Sequence, residues 1–232
     1  MEEYRMRIKT GKDIRITARP GILPMLVILC MLVLSGCQSR EKLPFYNTPD
    51  FTPVWLTKSE ASSEGMHHIG PFTLVNQNGE IISNKNVNGK VYVANFFFTT
   101  CGSICPRMMI NIKKVQEQFA NEEEVRFLSH TVQPERDSVA RLKHYAGAMA
   151  INSAQWWLLT GSKDSIYTLA RRFYFADDEL GYAKGSNEFL HTENCVLIDR
   201  QGRIRGVYNA TLELEMQKLA KHISILLNEE RR

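Results

Sequence analysis

The sequence predicts an α/β domain whose central strand delivers two cysteines to the start of a helix. Three observations carry this. Val91–Phe98 is an unbroken run of β-branched, aromatic and apolar residues, the pattern of a strand covered on both faces. Pro106 directly follows Cys105, and proline suits the first turn of a helix because the N–H it lacks has no partner there. Strand-like and helix-like segments then alternate to the C-terminus, which is α/β order. Cys101 and Cys105 therefore fall where a strand ends and a helix begins. Orphan N–H groups and the helix dipole favour negative charge there, and so lower a thiol pKa.

Ahead of the domain, Gly21–Leu34 is an apolar run behind a positively charged segment, too short to span a bilayer and suited to a signal-peptide core. It ends in Leu34-Ser35-Gly36-Cys37, which resembles the bacterial lipobox. That resemblance implies cleavage before Cys37, a lipid on its sulfur, and an exported domain anchored to a bacterial membrane, facing the periplasm or the cell exterior. Residues 1–37 are thus expected to be a lipoprotein signal peptide, 38–69 a tether and extended entry segment, and 70–232 the domain. Pro44, Pro49 and Pro53 support the tether, and Phe51, Val54 and Trp55 are candidates to dock on the domain. His67-His68 reads as a solvated pair. The net charge of +4 belongs mostly to the leader: six of 29 basic and three of 25 acidic residues precede Gln38, leaving 23 and 22. With no basic patch interleaved with aromatics, nucleic-acid binding is excluded as a reading. A hydrophobic content of 44% is that of a globular protein.

Within the domain, Pro71–Val75 and Glu80–Ser83 read as a hairpin around Asn78-Gly79. Asn88-Gly89 turns into the buried strand. Met109, Ile112, Val115 and Phe119 recur at helical spacing after Cys105. Val125–His130 is a second strand. Asp137 is placed to cap a helix over Ser138–Ala150, and Trp156–Leu159 is a third strand. Asp164 is placed to cap a helix reaching about Phe173. Asp177–Asn187 is a polar loop. Asn194–Asp199 and Ile204–Tyr208 form a hairpin around Gln201-Gly202, and Leu212–Leu227 closes the domain as a helix. With two cysteines at the end of the first central strand, this order looks like the thioredoxin-like fold with an N-terminal β-hairpin and an inserted helix.

Cys101, Cys105 and Cys195 are the cysteines beyond Cys37. Three residues separate Cys101 from Cys105, one more than in thioredoxin-type oxidoreductases. Both sulfurs can converge on one point, either as a disulfide or as two thiolates around a soft ion. Thioredoxin-type enzymes also place a cis-proline opposite their cysteines, yet no proline follows Pro134 here. His191 stands in that slot. Two thiolates and an imidazole suit Cu(I) and can admit Cu(II).

Phe98-Thr99-Thr100-Cys101-Gly102-Ser103-Ile104-Cys105-Pro106, Pro134-Glu135-Arg136-Asp137 and His191-Thr192, with the Asp199–Gly202 turn that follows the next strand, together resemble the Sco/SenC family of copper chaperones for cytochrome c oxidase assembly. The resemblance implies copper held by Cys101, Cys105 and His191. It implies delivery to the copper-bearing subunit of the oxidase, or upkeep of that subunit's thiols, with a Cys101–Cys105 disulfide as the oxidised form. The alternative is a thiol–disulfide oxidoreductase acting on exported proteins, with Cys101 as nucleophile and Cys105 as its partner. The chain departs from the family pattern at Gly102, Gln133 and Leu190, where proline, aspartate and aspartate are usual. Glu193 is then a candidate to orient His191. Cys195, Met108 and Met109 read as core, His130 and His144 as surface or strand-end residues, and Glu135 and Asp137 as an Arg136 partner and a helix cap.

Overall fold

The computed structural model describes residues 41–62, 65–176 and 192–229. The chain divides into two compact units, 1–41 and 42–232, and the second holds nearly all the described residues. Cys37 and the leader lie outside the described residues, as do residues 177–191, on which the expected loop Asp177–Asn187 and His191 fall.

Among the described residues, nine strands form one sheet. They are β1 (Phe45–Tyr46), β2 (Pro53–Val54), β3 (Thr73–Asn76), β4 (Ile81–Ser83), β5 (Val91–Phe97), β6 (Val125–Thr131), β7 (Trp156–Thr160), β8 (Asn194–Ile198) and β9 (Ile204–Asn209). Their order across the sheet is β2-β1-β9-β8-β5-β6-β7-β3-β4. β5, β6 and β7 run parallel, and every other pairing is antiparallel. Every residue of β5 is buried, because helices and turns cover both faces. Val91, Val93 and Phe97 point into one apolar layer, with Met108, Met109, Ile112, Leu142, Leu219 and Ile223. Tyr92, Ala94 and Phe96 point into the other, with Leu74, Ile166, Leu169 and Tyr174. The unbroken apolar run is thus the ordinary two-residue alternation of a strand with two dry faces.

The helices are α1 (Lys58–Ala61), α2 (Asn84–Val87), α3 (Ile104–Gln118), α4 (Val139–Ala148), α5 (Lys163–Thr168) and α6 (Glu213–Glu229). α5 continues as a π-helical turn over Leu169–Phe173. Among the described residues no helix is long and apolar enough to cross a membrane. Both predicted hairpins form, each closed around a three-residue loop. Asn76 N–H donates to Glu80 O at 2.9 Å, and Asp199 N–H to Arg203 O at 3.0 Å. In each loop only the final glycine takes a left-handed φ, +82° at Gly79 and +80° at Gly202.

Three expectations are corrected here. Ser138, not Asp137, caps α4, accepting from Arg141 N–H at 3.3 Å. Ser162, not Asp164, caps α5. And much of the segment read as a tether belongs to the folded unit: Leu43 and Phe45 are buried, and β1 pairs with β9. The buried Arg205 guanidinium fastens that segment. It donates to Leu43 O and Pro44 O, pairs with Asp199 and Glu229, and lies 4.1 Å from the Phe45 ring centroid. Trp55, a candidate to dock, is 65% exposed.

Gly206 shows how tightly the inner edge of β9 is filled. A Cβ there would lie 2.1 Å from Tyr208 Oη, and that hydroxyl is held at 2.7 Å from His222 Nδ1. Gly206→Ala is expected to cost roughly 2–3 kcal/mol of unfolding free energy in urea. A loss below ~1 kcal/mol would mean that β9 shifts to make room.

Candidate metal centre

The two cysteines sit in unlike surroundings one helical turn apart. The chain leaves β5 at Phe97, turns with Cys101 N–H donating to Phe98 O at 3.3 Å, and enters α3 at Ile104. Cys105 is the second residue of α3, and Pro106 the third. Proline is free to stand there because the first four N–H groups of a helix have no internal acceptor. Those orphan donors face Cys101 instead: Cys105 N–H lies 3.5 Å from Cys101 Sγ.

Both thiols are free, and their acidities diverge. Partial burial pushes Cys101 up, but the backbone N–H groups of Cys105, Ser103 and Ile104 outweigh it, so its pKa falls below the usual thiol value. Cys105 is only 4% exposed, and burial first, then the neighbouring Cys101, pushes its thiol up to about 12. The Tyr145 ring packs against Phe97 with centroids 5.6 Å apart and planes inclined at 44°. Burial, and then the thiols, push its phenol up to about 12. The arrangement is that of an accessible attacking thiol and a protected resolving one. Iodoacetamide at neutral pH is therefore expected to modify Cys101 first. Its rate should level off below the ordinary thiol pH range, while Cys105 stays protected until the solution is strongly alkaline, as peptide mass spectrometry would show. Equal rates at the two cysteines would sink this ranking.

The loop carrying Cys101 is clamped from below by the β6–α4 connection. Asp137, fully buried, accepts from Thr99 N–H at 3.2 Å, from Thr99 Oγ1 at 2.5 Å and from Thr131 Oγ1. Thr100 Oγ1 donates to Gln133 Oε1 at 3.1 Å. The second motif of the sequence thus contributes a support for the first, not a helix cap, and Glu135 faces Lys163 at 3.9 Å rather than Arg136.

Other candidates separate out. Cys195 is fully buried between Asn95 of β5 and Tyr208 of β9, and burial pushes its thiol well up. Met108 and Met109 are fully buried in the same layer. Met109 Sδ is turned inward, 3.8 Å from both Asn95 Nδ2 and Ser129 Oγ. The Glu193 carboxylate accepts from Asn209 Nδ2 at 2.9 Å and from Thr211 Oγ1 at 3.4 Å. His144 is exposed, as expected. His67 is not a solvated residue: it bonds Phe173 O at 2.8 Å and its ring centroid lies 4.2 Å from that of Phe175, tilted by 31°. His130 is not a surface residue either, for it is wholly buried at the end of β6. Among the described residues no third His, Cys, Asp or Glu joins Cys101 and Cys105 in a metal-holding group. The two thiols are by themselves a soft donor pair, a chemistry that fits Cu(I).

Comparison with known proteins agrees with this geometry. A family model described as SCO1/SenC matches residues 60–228. A SCO1 protein homolog of Bacillus subtilis is 30% identical over 145 residues, covering 62% of this chain and 74% of that protein. The crystal structure of a SCO1/SenC family lipoprotein from Bacillus anthracis superposes with a TM-score of 0.62 at 27% identity, over 70% of this chain and 96% of that one. The structure of Bradyrhizobium japonicum ScoI with copper bound gives a TM-score of 0.53 at 25% identity, over 66% of this chain and 97% of that one. The fold is thioredoxin-like as predicted, and with a thiol pair at its strand-to-helix junction and a family match that spans most of its length, this chain belongs to the SCO1/SenC family.

Proposed function

We propose that this protein is an exported, membrane-tethered copper-binding factor for cytochrome c oxidase assembly. It delivers copper to the binuclear copper site of the oxidase subunit, or keeps the thiols of that site reduced. The observation that carries this is the unequal pair Cys101/Cys105, whose sulfurs lie at a helix start where backbone N–H groups favour a thiolate. Support comes from the relatives: one of them, from Stutzerimonas stutzeri, is named a putative copper-binding protein and is 26% identical over 144 residues. The solved structure of BsSco is described as that of a member of the Sco family of cytochrome c oxidase assembly proteins. Cys101, Cys105 and His191 are the ligand set, and Cys37 is the lipid-bearing residue of the tether.

Titration of the purified chain with Cu(I) against a competing chelator tests the reading. Stoichiometric binding that survives competition supports it. If His191→Ala holds copper as tightly as the parent, the ligand set is wrong. Cys37→Ser is expected to release the protein from the membrane fraction.

A second reading, thiol–disulfide exchange with exported clients, is favoured by the same asymmetry of Cys101 and Cys105. Only the dithiol form binds metal or donates electrons, so a Cys101–Cys105 disulfide blocks the first role and is the product of the second. The BsSco structure is also described as identifying a disulfide switch. Rapid reduction of insulin disulfides by a chain that also retains copper would join the two roles, and no reduction would leave copper delivery alone.

A further inference from the structure

We propose that Asp137 is the positioning residue of the thiol loop, acting through Thr99. The loop between β5 and α3 is anchored to the neighbouring connection by the Asp137 carboxylate, beside one exposed bond from Thr100 Oγ1 to Gln133 Oε1. Asp137 Oδ2 accepts from Thr99 N–H at 3.2 Å and from Thr131 Oγ1, while Oδ1 accepts from Thr99 Oγ1 at 2.5 Å. Arg141 closes the arrangement from the solvent side. Its Nε donates to Thr99 Oγ1 at 2.8 Å and stands 3.9 Å from Asp137 Oδ1. The Thr99 hydroxyl therefore donates a hydrogen bond to the carboxylate and accepts one from the guanidinium N–H, so its rotor is fixed.

A carboxylate is the group this geometry needs. It offers acceptors only, and the cavity presents three donors, one of them a main-chain N–H that cannot reverse its role. Thr99 lies two residues ahead of Cys101. Fixing its backbone N–H and its side chain at once limits where Cys101 can sit relative to the helix N–H groups that face its sulfur. Thr131 ties the same carboxylate to the end of β6, so the loop is registered against the sheet and not merely against another loop. Loss of a support one shell away from a metal-binding side chain typically costs 10–100-fold in affinity.

The proposal rests on the thiol-pair reading of the site, and the test separates the two. Asp137→Asn, Thr99→Val and Thr99→Ser are compared with the parent, and with Ile223→Ala, a buried residue of α6 that serves as a stability control. Folding of each is checked by far-UV circular dichroism. Two quantities are read: Cu(I) affinity by chelator competition, and the thiol–disulfide midpoint of Cys101/Cys105 in a glutathione series. In Thr99→Val, copper affinity is expected to fall roughly 10–100-fold. The midpoint should move to less negative values by about 30 mV, the equivalent of a tenfold change, because a loosened loop closes its disulfide at greater entropic cost. Asp137→Asn follows in the same direction, Thr99→Ser returns both values to those of the parent, and Ile223→Ala changes neither. A parent-like midpoint in folded Thr99→Val and Asp137→Asn overturns the proposal, whether or not the parent binds copper. Absence of copper binding in the parent overturns the proposed function and leaves the midpoint comparison valid.

Discussion

Replacing Cys105 with serine is expected to lower Cu(I) affinity by more than roughly a hundredfold while leaving the fold in place. The size follows from the chemistry of the donor. Cu(I) is soft and favours thiolate sulfur, whereas a serine hydroxyl is hard and stays protonated at neutral pH. Loss of a mere outer partner costs up to about a hundredfold, so loss of a ligand must exceed it. Cys105 bears the larger burden because burial holds its thiol protonated up to about 12. Its conversion to thiolate is then coupled to arrival of the metal, and metal uptake should release protons over a wide pH range. Cys101→Ser should match it in copper loss but differ in thiol chemistry, for it removes the accessible sulfur. Chelator competition on both variants, with circular dichroism as the folding control, checks this. Copper retention by Cys105→Ser at parental strength would remove Cys105 from the proposed ligand set.

Much of this site was legible from local signals. The cysteine spacing, the apolar run of β5 and the glycine turns at Gly79 and Gly202 each reside within a few residues, so no long-range information is needed. The parallel trio β5–β6–β7 followed from strand–helix alternation. What the sequence did not reveal depends on contacts made across the fold. β1 and β2 are two residues each and carry no periodicity, and β1 exists because Arg205 and β9 receive it. Asp137 and Ser138 are adjacent and equally able to cap a helix. The donors of Thr99, thirty-eight residues earlier, and of Thr131 draw the carboxylate away from that task. His130 stands at a strand end as expected, but its burial was hidden for a related reason. A polar residue near a strand end usually meets water, but Phe72, from the hairpin beyond β7, and Tyr174, after the π-helical turn, close over it.

That burial sets up the second large effect, a loss of stability in mild acid. The His130 ring stacks at 5.0 Å on Phe96, with Tyr174 at 5.4 Å and Phe72 at 6.4 Å, and neither ring nitrogen has a hydrogen-bond partner. Burial drives its pKa down to about 4, against 6.5 for an ordinary histidine, with a weak opposing pull from the Asn95 backbone. The sign follows from proton counts. Above about pH 6.5 the ring is neutral in both folded and unfolded chains and contributes no slope. Between 6.5 and about 4 the unfolded chain takes up a proton that the folded chain refuses, so stability falls with falling pH. The loss is expected to approach 2–3 kcal/mol by about pH 4.5, a large share of the margin of a domain this size. Urea unfolding at pH 7, 6, 5 and 4.5, followed by the fluorescence of the buried Trp156, measures it. His130→Leu removes this group, so its stability should fall less steeply than the parent's over the same interval whatever its value at pH 7, the remaining slope coming in part from His67, whose pKa burial also lowers. A parent and variant with parallel pH profiles would show that His130 accepts its proton in the folded state, and that the aromatic layer around it opens to water.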